Sequence, residues 1–339
     1  MKTNEKEVLF KVENLKTWFP IKKGIMKKTV GNVKAVDDIS LEVYRGETIG
    51  IVGESGCGKS TLGKSLMLLE KPTDGKIMFH YQGGFKDITK FSKQEMFEFR
   101  KTVQMVFQDP YSALNPQKKI YTSFEEPLKI HGYDTREKRE EVMQRVLKMV
   151  NIQPDYLMRY PHEFSGGQRQ RLCIARALEV TPEVLICDEP VSALDVSIQA
   201  QVLNLMKDIQ KELNLTYLFI AHDLSVVQYM SDRIIVMYLG KVVEVADSRA
   251  LYDEPLHPYT RALLSAIPVA DIHVEKKRQI LEGEVPSPIN KPSGCAFHNR
   301  CPMCMEQCKK QDPPMYVDKE NGHMVACHLY EGKMMTGAE

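Results

Sequence analysis

The sequence contains no run of about 18 apolar residues, the length that a membrane-spanning helix requires. Its start, MKTNEKEVLFKVENLKTWF, has charged residues between the apolar ones, so we expect no secretory signal peptide. An excess of one charge sign is also lacking, because 46 basic residues face 45 acidic ones and the formal net charge is +1. We therefore expect a cytosolic protein, which could bind a membrane complex from the inside.

A protein whose main partner is nucleic acid normally carries a basic excess, which this chain does not have. One stretch, VEKKRQ at 274–279, is locally basic. A charge run of this kind is more typical of a solvated surface than of a binding site. The sequence therefore predicts no nucleic-acid partner.

The 339 residues, 43% of them hydrophobic, are enough for one large domain or two ordinary ones. Apolar runs and the turn residues between them predict strands followed by helices. Helices are expected after Gly58 and over most of 120–180, most clearly at 136–150. Strands are expected at 8–15, 34–53, 183–190 and 217–223, and as a pair at 233–247 that turns at Leu239–Gly240, while 20–33 reads as a loop or hairpin.

The stretch GESGCGKST at 53–61 fits the pattern G-x-x-x-x-G-K-[ST] between an apolar run and a helical run. Glycines let backbone N–H groups approach a polyphosphate, and the helix N-terminus adds its dipole. Lys59 would neutralise the β- and γ-phosphates, and Ser60 would bind Mg²⁺. The predicted nucleotide-binding residues of this loop are Gly53, Glu54, Ser55, Gly56, Cys57, Gly58, Lys59, Ser60 and Thr61.

Cys57 lies inside this loop, where a small side chain is sufficient for packing. We also hypothesise that the neighbouring helix N-terminus lowers the pKa of the Cys57 thiol and makes it reactive. In that case bound ATP should protect the thiol from alkylation.

The stretch VLICDEP, at 184–190, supplies two acidic residues at the end of an apolar run. A buried parallel strand delivers such residues to a site at its carboxyl end. We expect Asp188 to bind the Mg²⁺ ion and Glu189 to activate the attacking water.

The stretch EFSGGQRQRLCIARAL, at 163–178, predicts a second helix with an anion-binding N-terminus. Ser165 is a good N-cap, and Gly166 and Gly167 expose backbone N–H groups beside it. The chain already has one such helix end. Two of them suggest that two chains face each other, each supplying the half-site that the other lacks.

These motifs resemble the ATP-binding-cassette (ABC) ATPases, whose signature is the Ser-Gly-Gly-Gln found here at Ser165–Gln168. The resemblance implies an α/β P-loop NTPase fold with a RecA-like core, an antiparallel β subdomain and a helical subdomain at about 110–180. It also assigns further site residues. They are Gln108 of VFQDP as the Q-loop, residues 192–195 as the D-loop, His222 of IAHDL as the switch histidine, and Phe19 of TWFP, with Trp18 beside it, as the aromatic that stacks on adenine.

The resemblance implies that two cassettes enclose two ATP molecules, each between one chain's phosphate loop and the other chain's signature. Glu189 would activate water, and His222 would contact the γ-phosphate. Gln108 would join Ser60 and Asp188 at the Mg²⁺ ion and couple the site to a partner.

The segments 19–48, 109–117 and 255–268 are similar to the ATPases of bacterial oligopeptide and dipeptide importers, in particular the F-type (OppF/DppF-like) member. This implies pairing with a D-type ATPase under two membrane permeases, at the cytoplasmic face, with an extracytoplasmic binding protein. The subfamily also includes importers of nickel and other small solutes. Non-transport ABC ATPases form a further alternative, but they usually carry tandem cassettes or coiled-coil insertions, which this chain lacks.

From about residue 255 the composition shifts to proline, cysteine and histidine, which suggests an ATPase domain at 1–254 and a C-terminal region at 255–339. Five of the eight cysteines lie in that region. Disulfides are not expected, because the cytosol keeps thiols reduced. The subfamily pattern G-C-x-F-x-x-R-C-P followed by two further cysteines selects Cys295, Cys301, Cys308 and Cys327.

Four thiolates suit either a [4Fe–4S] cluster, which the resemblance favours, or zinc. Cys304 departs from the pattern, and its spacing from Cys301 keeps open a zinc site that uses Cys304 with His298, His323 or His328. Buried reduced thiols are the remaining alternative. Segment 290–314 has few apolar residues, so we expect a metal to fold it.

Overall fold

The structure is a computed structural model that describes residues 7–24, 27–267 and 279–337. The basic stretch at 274–279 lies outside the described residues except for Gln279. The strands are, in chain order, β1 Val8–Lys23, β2 Lys28–Tyr44, β3 Thr48–Val52, β4 Asp74–Tyr81, β5 Gly84–Asp87, β6 Val103–Val106, β7 Val184–Asp188, β8 Thr216–Ile220, β9 Arg233–Tyr238, β10 Lys241–Asp247, β11 Tyr316–Val317, β12 Met324–Val325 and β13 Met335–Thr336.

Helices occupy most of the chain between these strands, and several short 3₁₀ turns join them. None of the described helices is long and apolar enough to span a bilayer. The α-helices are α1 Lys59–Leu66, α2 Lys93–Thr102, α3 Pro110–Ala113, α4 Ile120–Ile130, α5 Arg136–Met149, α6 Gly166–Leu178, α7 Val196–Leu213, α8 Leu224–Met230, α9 Ser248–Asp253, α10 Pro258–Ser265 and α11 Glu306–Lys310.

The chain divides into two compact units. Among the described residues, the first unit contains Glu7, Tyr44–Thr48 and Lys90–Ala221. The second unit contains the rest, namely Val8–Val43, Ile49–Thr89 and the chain from His222 onward.

The first unit has three parallel strands in the order β6-β7-β8. Every residue of β7 and β8 is buried, as the apolar runs at 183–190 and 217–223 predicted. Helix α5 also matches the prediction for 136–150, and it packs against α6. Because the strands are parallel, the residues that follow β6 and β7 lie at the same edge of the sheet.

The second unit contains an antiparallel sheet in the order β2-β1-β4-β5. Strand β1 ends at Lys23 and strand β2 begins at Lys28, so the region at 20–33 is mostly strand with a short turn. In that turn the Lys27 N–H donates to the Gly24 carbonyl at 3.0 Å. A two-stranded ribbon pairs its backbone groups and leaves its many lysines in solvent, which explains why this basic stretch extends the strands.

The second unit also contains β3, which pairs in parallel with β9, and β9 pairs with β10 as an antiparallel hairpin. The hairpin turns at Leu239–Gly240, as predicted, with positive φ angles of 45° and 77°. Beyond β10 the sheet continues with three short strands of the C-terminal region in the order β12-β11-β13. These strands have a small apolar core of their own, formed by Tyr316, Val325 and Cys327.

Candidate nucleotide-binding site

The loop between β3 and α1, residues 53–58, holds three glycines with positive φ angles in the second unit. At Gly58, with φ of 106°, a Cβ atom would lie 1.9 Å from the Ala35 carbonyl oxygen. At Gly53 it would lie 2.2 Å from the Met237 carbonyl oxygen. Both contacts are with backbone atoms, so only glycine fits at these two positions.

Lys59 follows the loop and is only 5% exposed. Its ammonium group donates to the carbonyl oxygens of Gly53, at 2.7 Å, and Glu54, at 3.3 Å. These bonds hold the ammonium group against the loop that the sequence assigns to phosphates. An ammonium group at this position can neutralise an anion that the loop N–H groups bind.

Helix α1 begins directly after Gly58, and Ser60 and Thr61 lie in its first turn. The N-terminus has no side-chain cap and no acidic residue in the first turn. The backbone N–H groups of this first turn and the positive end of the helix dipole therefore favour an anionic ligand. Ser55 and Gly56, at the tip of the loop, are exposed.

Cys57 does not have the lowered pKa that the sequence suggested. Burial raises the pKa of this thiol and outweighs the opposing effect of Lys59. The residue is 4% exposed, and its carbonyl accepts a hydrogen bond from the Gly240 N–H at 2.8 Å. Cys57 is thus a packed residue of the loop, and the hypothesis of a reactive thiol is wrong.

In the first unit, Asp188 is the last residue of strand β7, and Glu189 follows it directly. Asp188 is buried at 4% exposure. Glu189 adopts a left-handed conformation with φ of 47°, and its N–H donates to the Ile220 carbonyl at 2.9 Å. Left-handed backbone at a non-glycine residue costs about 1–3 kcal/mol and is often found at functional sites.

Gln108 follows β6 and contacts the same carboxylate. Its Nε2 donates to Glu189 Oε2 at 2.8 Å, so the structure brings together two of the predicted catalytic residues. This hydrogen bond fixes the direction of the Glu189 carboxylate, and the Gln108 side chain itself is exposed. This arrangement suits a carboxylate that must orient and deprotonate water.

Ser165 caps helix α6 with a complete capping box. Its Oγ accepts from the Gln168 N–H at 3.3 Å, and Gln168 Oε1 accepts from the Ser165 N–H at 3.0 Å. At Gly167 a Cβ atom would lie 2.4 Å from Ile198 of α7, so this glycine allows the two helices to approach. Ser165 itself is exposed at the helix N-terminus.

The predicted D-loop, residues 192–195, leads from Glu189 to helix α7. Gln199 fixes its shape, because the Nε2 group donates to the carbonyls of Val191 and Leu194, each at 3.0 Å. Asp195 stands at the N-terminus of α7 and is exposed. The loop is therefore held by its own following helix.

Two arginines of α6 link the signature helix to the segment after Gln108. The Arg176 Nη1 group donates to the Ala113 carbonyl at 2.9 Å. The Arg169 guanidinium lies over the Tyr111 ring at 4.1 Å. Sequence reasoning did not assign these roles, although both arginines lie inside the quoted signature stretch.

The other predicted residues lie in the second unit. His222 is exposed, and the following Asp223 caps α8 by accepting from the Ser225 N–H at 2.8 Å. Phe19 lies half-buried on β1. Its neighbour Trp18 donates from Nε1 to Asp37 at 3.1 Å.

The comparisons with known proteins agree with this geometry. Residues 36–192 match the family model of the ABC transporter, and residues 243–308 match that of the oligopeptide/dipeptide transporter C-terminal region. The oligopeptide transport ATP-binding protein AppF of Bacillus subtilis (strain 168) is 51% identical over 97% of this chain and 100% of its own. The chain belongs to the ABC transporter ATPase family.

Three further comparisons support the family and its fold. The oligopeptide transport ATP-binding protein OppF of Haemophilus influenzae is 49% identical over 96% of this chain and 98% of its own. A solved cassette, MJ0796 with ADP and Pi, has a TM-score of 0.61 and 28% identity over 71% of this chain and 99% of its own. Another solved structure, cbiO1 from Clostridium perfringens, has the same TM-score and the same identity, and the match covers 74% of this chain and 92% of its own.

The C-terminal region of this ABC ATPase contacts the phosphate loop at Glu54. The Tyr259 hydroxyl accepts from the Glu54 N–H at 2.8 Å. The Arg300 guanidinium donates to both Glu54 carboxylate oxygens, at 2.7 and 3.1 Å. Neither Tyr259 nor Arg300 was a predicted site residue.

The five C-terminal cysteines come from two segments that meet. The Cys295 N–H donates to the Cys308 carbonyl at 2.8 Å, and a Cβ atom at Gly294 would lie 2.4 Å from that carbonyl oxygen. Burial, together with the neighbouring thiols, raises the pKa of Cys295 to about 11. Burial raises the pKa of Cys327 to about 11, with added contributions from Cys295, Cys301 and Cys308.

The predicted metal site is not confirmed, because within the described ranges no three His, Cys, Asp or Glu side chains form a group that could hold a metal ion. The predicted ligands are all thiols, a donor set whose chemistry fits an iron–sulfur cluster or zinc. The histidines of the zinc alternative bond elsewhere. His298 Nδ1 lies 2.9 Å from the Cys295 carbonyl, His323 Nε2 2.7 Å from Glu244 and His328 Nε2 3.0 Å from the Gln311 carbonyl.

Proposed function

We propose that this ABC ATPase powers the import of oligopeptides or dipeptides through a pair of membrane permeases. The observation that carries the proposal is the combination of a match to the ABC transporter model at 36–192 with a C-terminal region that matches the oligopeptide/dipeptide transporter model. Relatives named as oligopeptide transport ATP-binding proteins match the chain over almost its whole length. Under this proposal the chain is a peripheral protein at the cytoplasmic face of the membrane.

The residues of the first unit carry the hydrolytic chemistry in this proposal. Glu189 acts as general base on the attacking water, and Gln108, which bonds to its carboxylate, keeps that base oriented. Asp188 and Gln108 would be ligands of Mg²⁺, which neutralises phosphate charge when bound. The buried position of Asp188 at the end of β7 supports its role.

The residues of the second unit bind the nucleotide in this proposal. The loop Gly53–Gly58, with Lys59, Ser60 and Thr61, binds the phosphates through backbone N–H groups and the ammonium group. His222 contacts the γ-phosphate, and its exposed position leaves it accessible to ligand. Phe19 stacks on the adenine, and the neighbouring Trp18 donates a hydrogen bond to Asp37 of strand β2.

The signature Ser165, Gly166, Gly167 and Gln168 serves the nucleotide of a facing chain. Its support is that the α6 N-terminus is exposed while the capping box already satisfies two of its backbone donors. The remaining N–H groups can bind an anion brought by another chain. We propose a D-type ATPase as that chain, with the two permeases and an extracytoplasmic binding protein completing the importer.

In this proposal the chain consists of an ATPase domain at 1–254, with a helical subdomain at about 110–180, and a C-terminal region at 255–339. The C-terminal region holds a [4Fe–4S] cluster, with zinc as the alternative. The ligands would be Cys295, Cys301, Cys308 and Cys327. Support comes from the backbone bond between Cys295 and Cys308 and from the histidine nitrogens that bond elsewhere. Bound to thiolates, the group would cross-link two chain segments that have little apolar core.

The cluster proposal is tested by anaerobic purification followed by iron, sulfide and zinc analysis. We expect about four irons per chain for a [4Fe–4S] cluster. Cys308→Ser should lose the metal and Cys304→Ser should keep it. Zinc without iron, lost in Cys304→Ser, would support the alternative site, and a preparation without either metal would reject both.

The transport function is tested with the full importer in membrane vesicles supplied with ATP and labelled peptides. Glu189→Gln should lower ATP hydrolysis and peptide uptake by about 10²–10⁴-fold, because the general base is lost. Glu183→Gln is a matched control, since Glu183 is an exposed carboxylate that pairs with Arg45. ATP-driven uptake of nickel without peptide uptake would favour the related solute importers, and hydrolysis without any uptake would reject transport.

A further inference from the structure

Glu54 is the residue of the phosphate loop that the C-terminal region contacts most closely. Its backbone N–H donates to the Tyr259 hydroxyl and its carboxylate accepts two bonds from Arg300. The Arg300 side chain is 8% exposed and the Glu54 side chain 26% exposed, so this pair is largely shielded from water. Paired parallel bonds between a guanidinium and a carboxylate fix both distance and angle.

The contacts of Tyr259 and Arg300 with Glu54 depend on each other, because Tyr259 belongs to an aromatic cluster and Arg300 lies against the same cluster. The Tyr259 and Tyr238 ring centroids lie 4.8 Å apart, and Phe297 lies 5.4 Å from Tyr259 and 5.3 Å from Tyr238. All three rings are at most 1% exposed. The Arg300 Nη1 group also lies 3.5 Å from the Tyr238 hydroxyl. The cluster therefore fixes the positions of the two groups that contact Glu54.

The start of α10 sets the position of Tyr259. The His257 Nδ1 atom accepts from the Tyr259 N–H at 3.1 Å, so His257 caps this helix. The His257 N–H in turn donates to the buried Glu244 at 2.9 Å. A chain of buried polar contacts thus runs from the sheet to the backbone of Tyr259. Such contacts restrict a side chain to one orientation.

We infer that Tyr259 and Arg300 are positioning residues for ATP binding, which act through Glu54 to keep the phosphate loop in its binding conformation. The reason lies in the loop itself. Glu54 adjoins Gly53, and Lys59 bonds to the carbonyls of both residues. A shift of Glu54 would therefore move the ammonium group and the N–H groups that bind phosphate. The inference rests on ATP binding by this loop.

The position of Arg300 gives the inference a second consequence. Arg300 lies next to Cys301, and Phe297 lies between Cys295 and Cys301. Any change in the fold of this short segment displaces the side chains that contact the phosphate loop. The C-terminal region is thereby coupled to the affinity for nucleotide.

The test measures ATP affinity of the purified full-length chain with a fluorescent ATP analogue, and ATP KM and kcat in the assembled importer. Tyr259→Phe keeps the ring in the cluster and removes only the hydroxyl, and Arg300→Lys keeps the charge without the paired bonds. The matched controls are Tyr330→Phe and Arg261→Lys. These two residues belong to the same region but bond to each other at 3.3 Å and to the carbonyls of Leu256 and Pro255.

We expect both test variants to raise the dissociation constant and KM for ATP by about 5- to 20-fold, with kcat at saturating ATP unchanged. The controls should stay within about twofold of the unmodified chain. Glu54→Gln should weaken binding by a similar factor, and adding Arg300→Lys to it should have little further effect, because the two residues act as one pair.

Two results would overturn the inference. One is unchanged affinity in Tyr259→Phe and Arg300→Lys, and the other is an equal loss in test and control variants that follows their melting temperatures. Failure of the unmodified chain to bind ATP would instead reject the nucleotide site itself. The two failures are therefore distinguishable in one set of titrations.

Discussion

Two helix N-termini in this chain carry glycine-rich motifs, and they are built differently. At α6, Ser165 and Gln168 form a capping box, and the terminus is exposed. At α1, the N-cap is Gly58, no side chain caps the helix, and Lys59 is buried. The first terminus satisfies two of its backbone donors with its own side chains, whereas the second depends on residues from elsewhere in its unit.

The difference shows how each terminus keeps its shape. A capping box needs only four consecutive residues, so the α6 terminus can stand at a surface and meet another chain. The phosphate loop is instead fixed by distant backbone groups, such as the Gly240 N–H that donates to Cys57. Contacts of this kind must all be present together. We therefore expect changes at the α1 terminus to have larger effects than changes at the α6 terminus.

The largest expected effect is that of Gly58→Ala. The new Cβ atom would lie 1.9 Å from the Ala35 carbonyl, and φ is 106°, so the loop must move. We expect a loss of about 2–5 kcal/mol in the free energy of unfolding, together with loss of ATP binding. Urea unfolding and ATP titration measure the two quantities.

Gly56→Ala is the matched control for this prediction. Gly56 also has a positive φ, of 79°, but nothing lies within 4 Å of its added Cβ atom. Only backbone strain of about 1 kcal/mol is expected there. Equal losses in the two variants would mean that the Ala35 contact is unimportant.

The next effect is a pH dependence that distinguishes the two termini, because His257 supports Tyr259 while the α6 capping box has no titratable group. Burial lowers the pKa of His257 to about 4, with Arg261 acting in the same direction and Glu244 against it. The unfolded chain has the ordinary pKa of about 6.5. The lowered pKa therefore contributes stability that is present above pH 6.5 and is lost as pH falls toward 4.

The contribution amounts to about 3 kcal/mol. His257→Asn is the comparison, since its amide oxygen can also cap a helix but does not titrate in this range. Unfolding free energies measured from pH 7 to pH 4 should fall more steeply for the unmodified chain. Parallel curves would show that His257 is not buried in its neutral form.

The sequence predicted the parts of the site whose causes are local. Gly58 must be glycine because of its own φ angle, and Ser165 caps the helix that begins at the next residue. When the interacting residues are close together in the sequence, they stand at a fixed spacing that can be recognised as a motif. The strand β7 that delivers Asp188 and Glu189 was likewise visible as a short apolar run.

The sequence could not predict contacts between distant residues. Arg300 and Glu54 are 246 positions apart, and nothing in either segment specifies the other. The raised pKa of Cys57 also has a nonlocal cause, because the effect of burial by the surrounding chain exceeds the opposing local effect of Lys59. Burial depends on the whole packed unit and leaves no motif.

Ser165→Ala is expected to have a smaller effect than the changes in the phosphate loop. It removes the Oγ atom that accepts from the Gln168 N–H. Loss of an N-cap costs about 1 kcal/mol in the free energy of unfolding. Urea unfolding of the full-length chain measures this cost, and Ser165→Asp, which retains a capping oxygen, should recover most of it. A loss of several kcal/mol would mean that the α6 terminus is not self-sufficient.

The smallest effect on stability is expected for Gly166→Ala, and it separates folding from function at the exposed terminus. The added Cβ atom would lie 3.5 Å from Leu194, an ordinary contact, so the free energy of unfolding should change by less than about 0.5 kcal/mol. ATP affinity of the isolated chain should also be unchanged, because the phosphate loop is untouched. In the assembled importer, however, the methyl group would stand where the facing chain's nucleotide is proposed to bind, so ATP hydrolysis should fall. Unchanged hydrolysis would mean that a methyl group at this position does not obstruct the nucleotide, and the facing-chain role of the signature would lose its support.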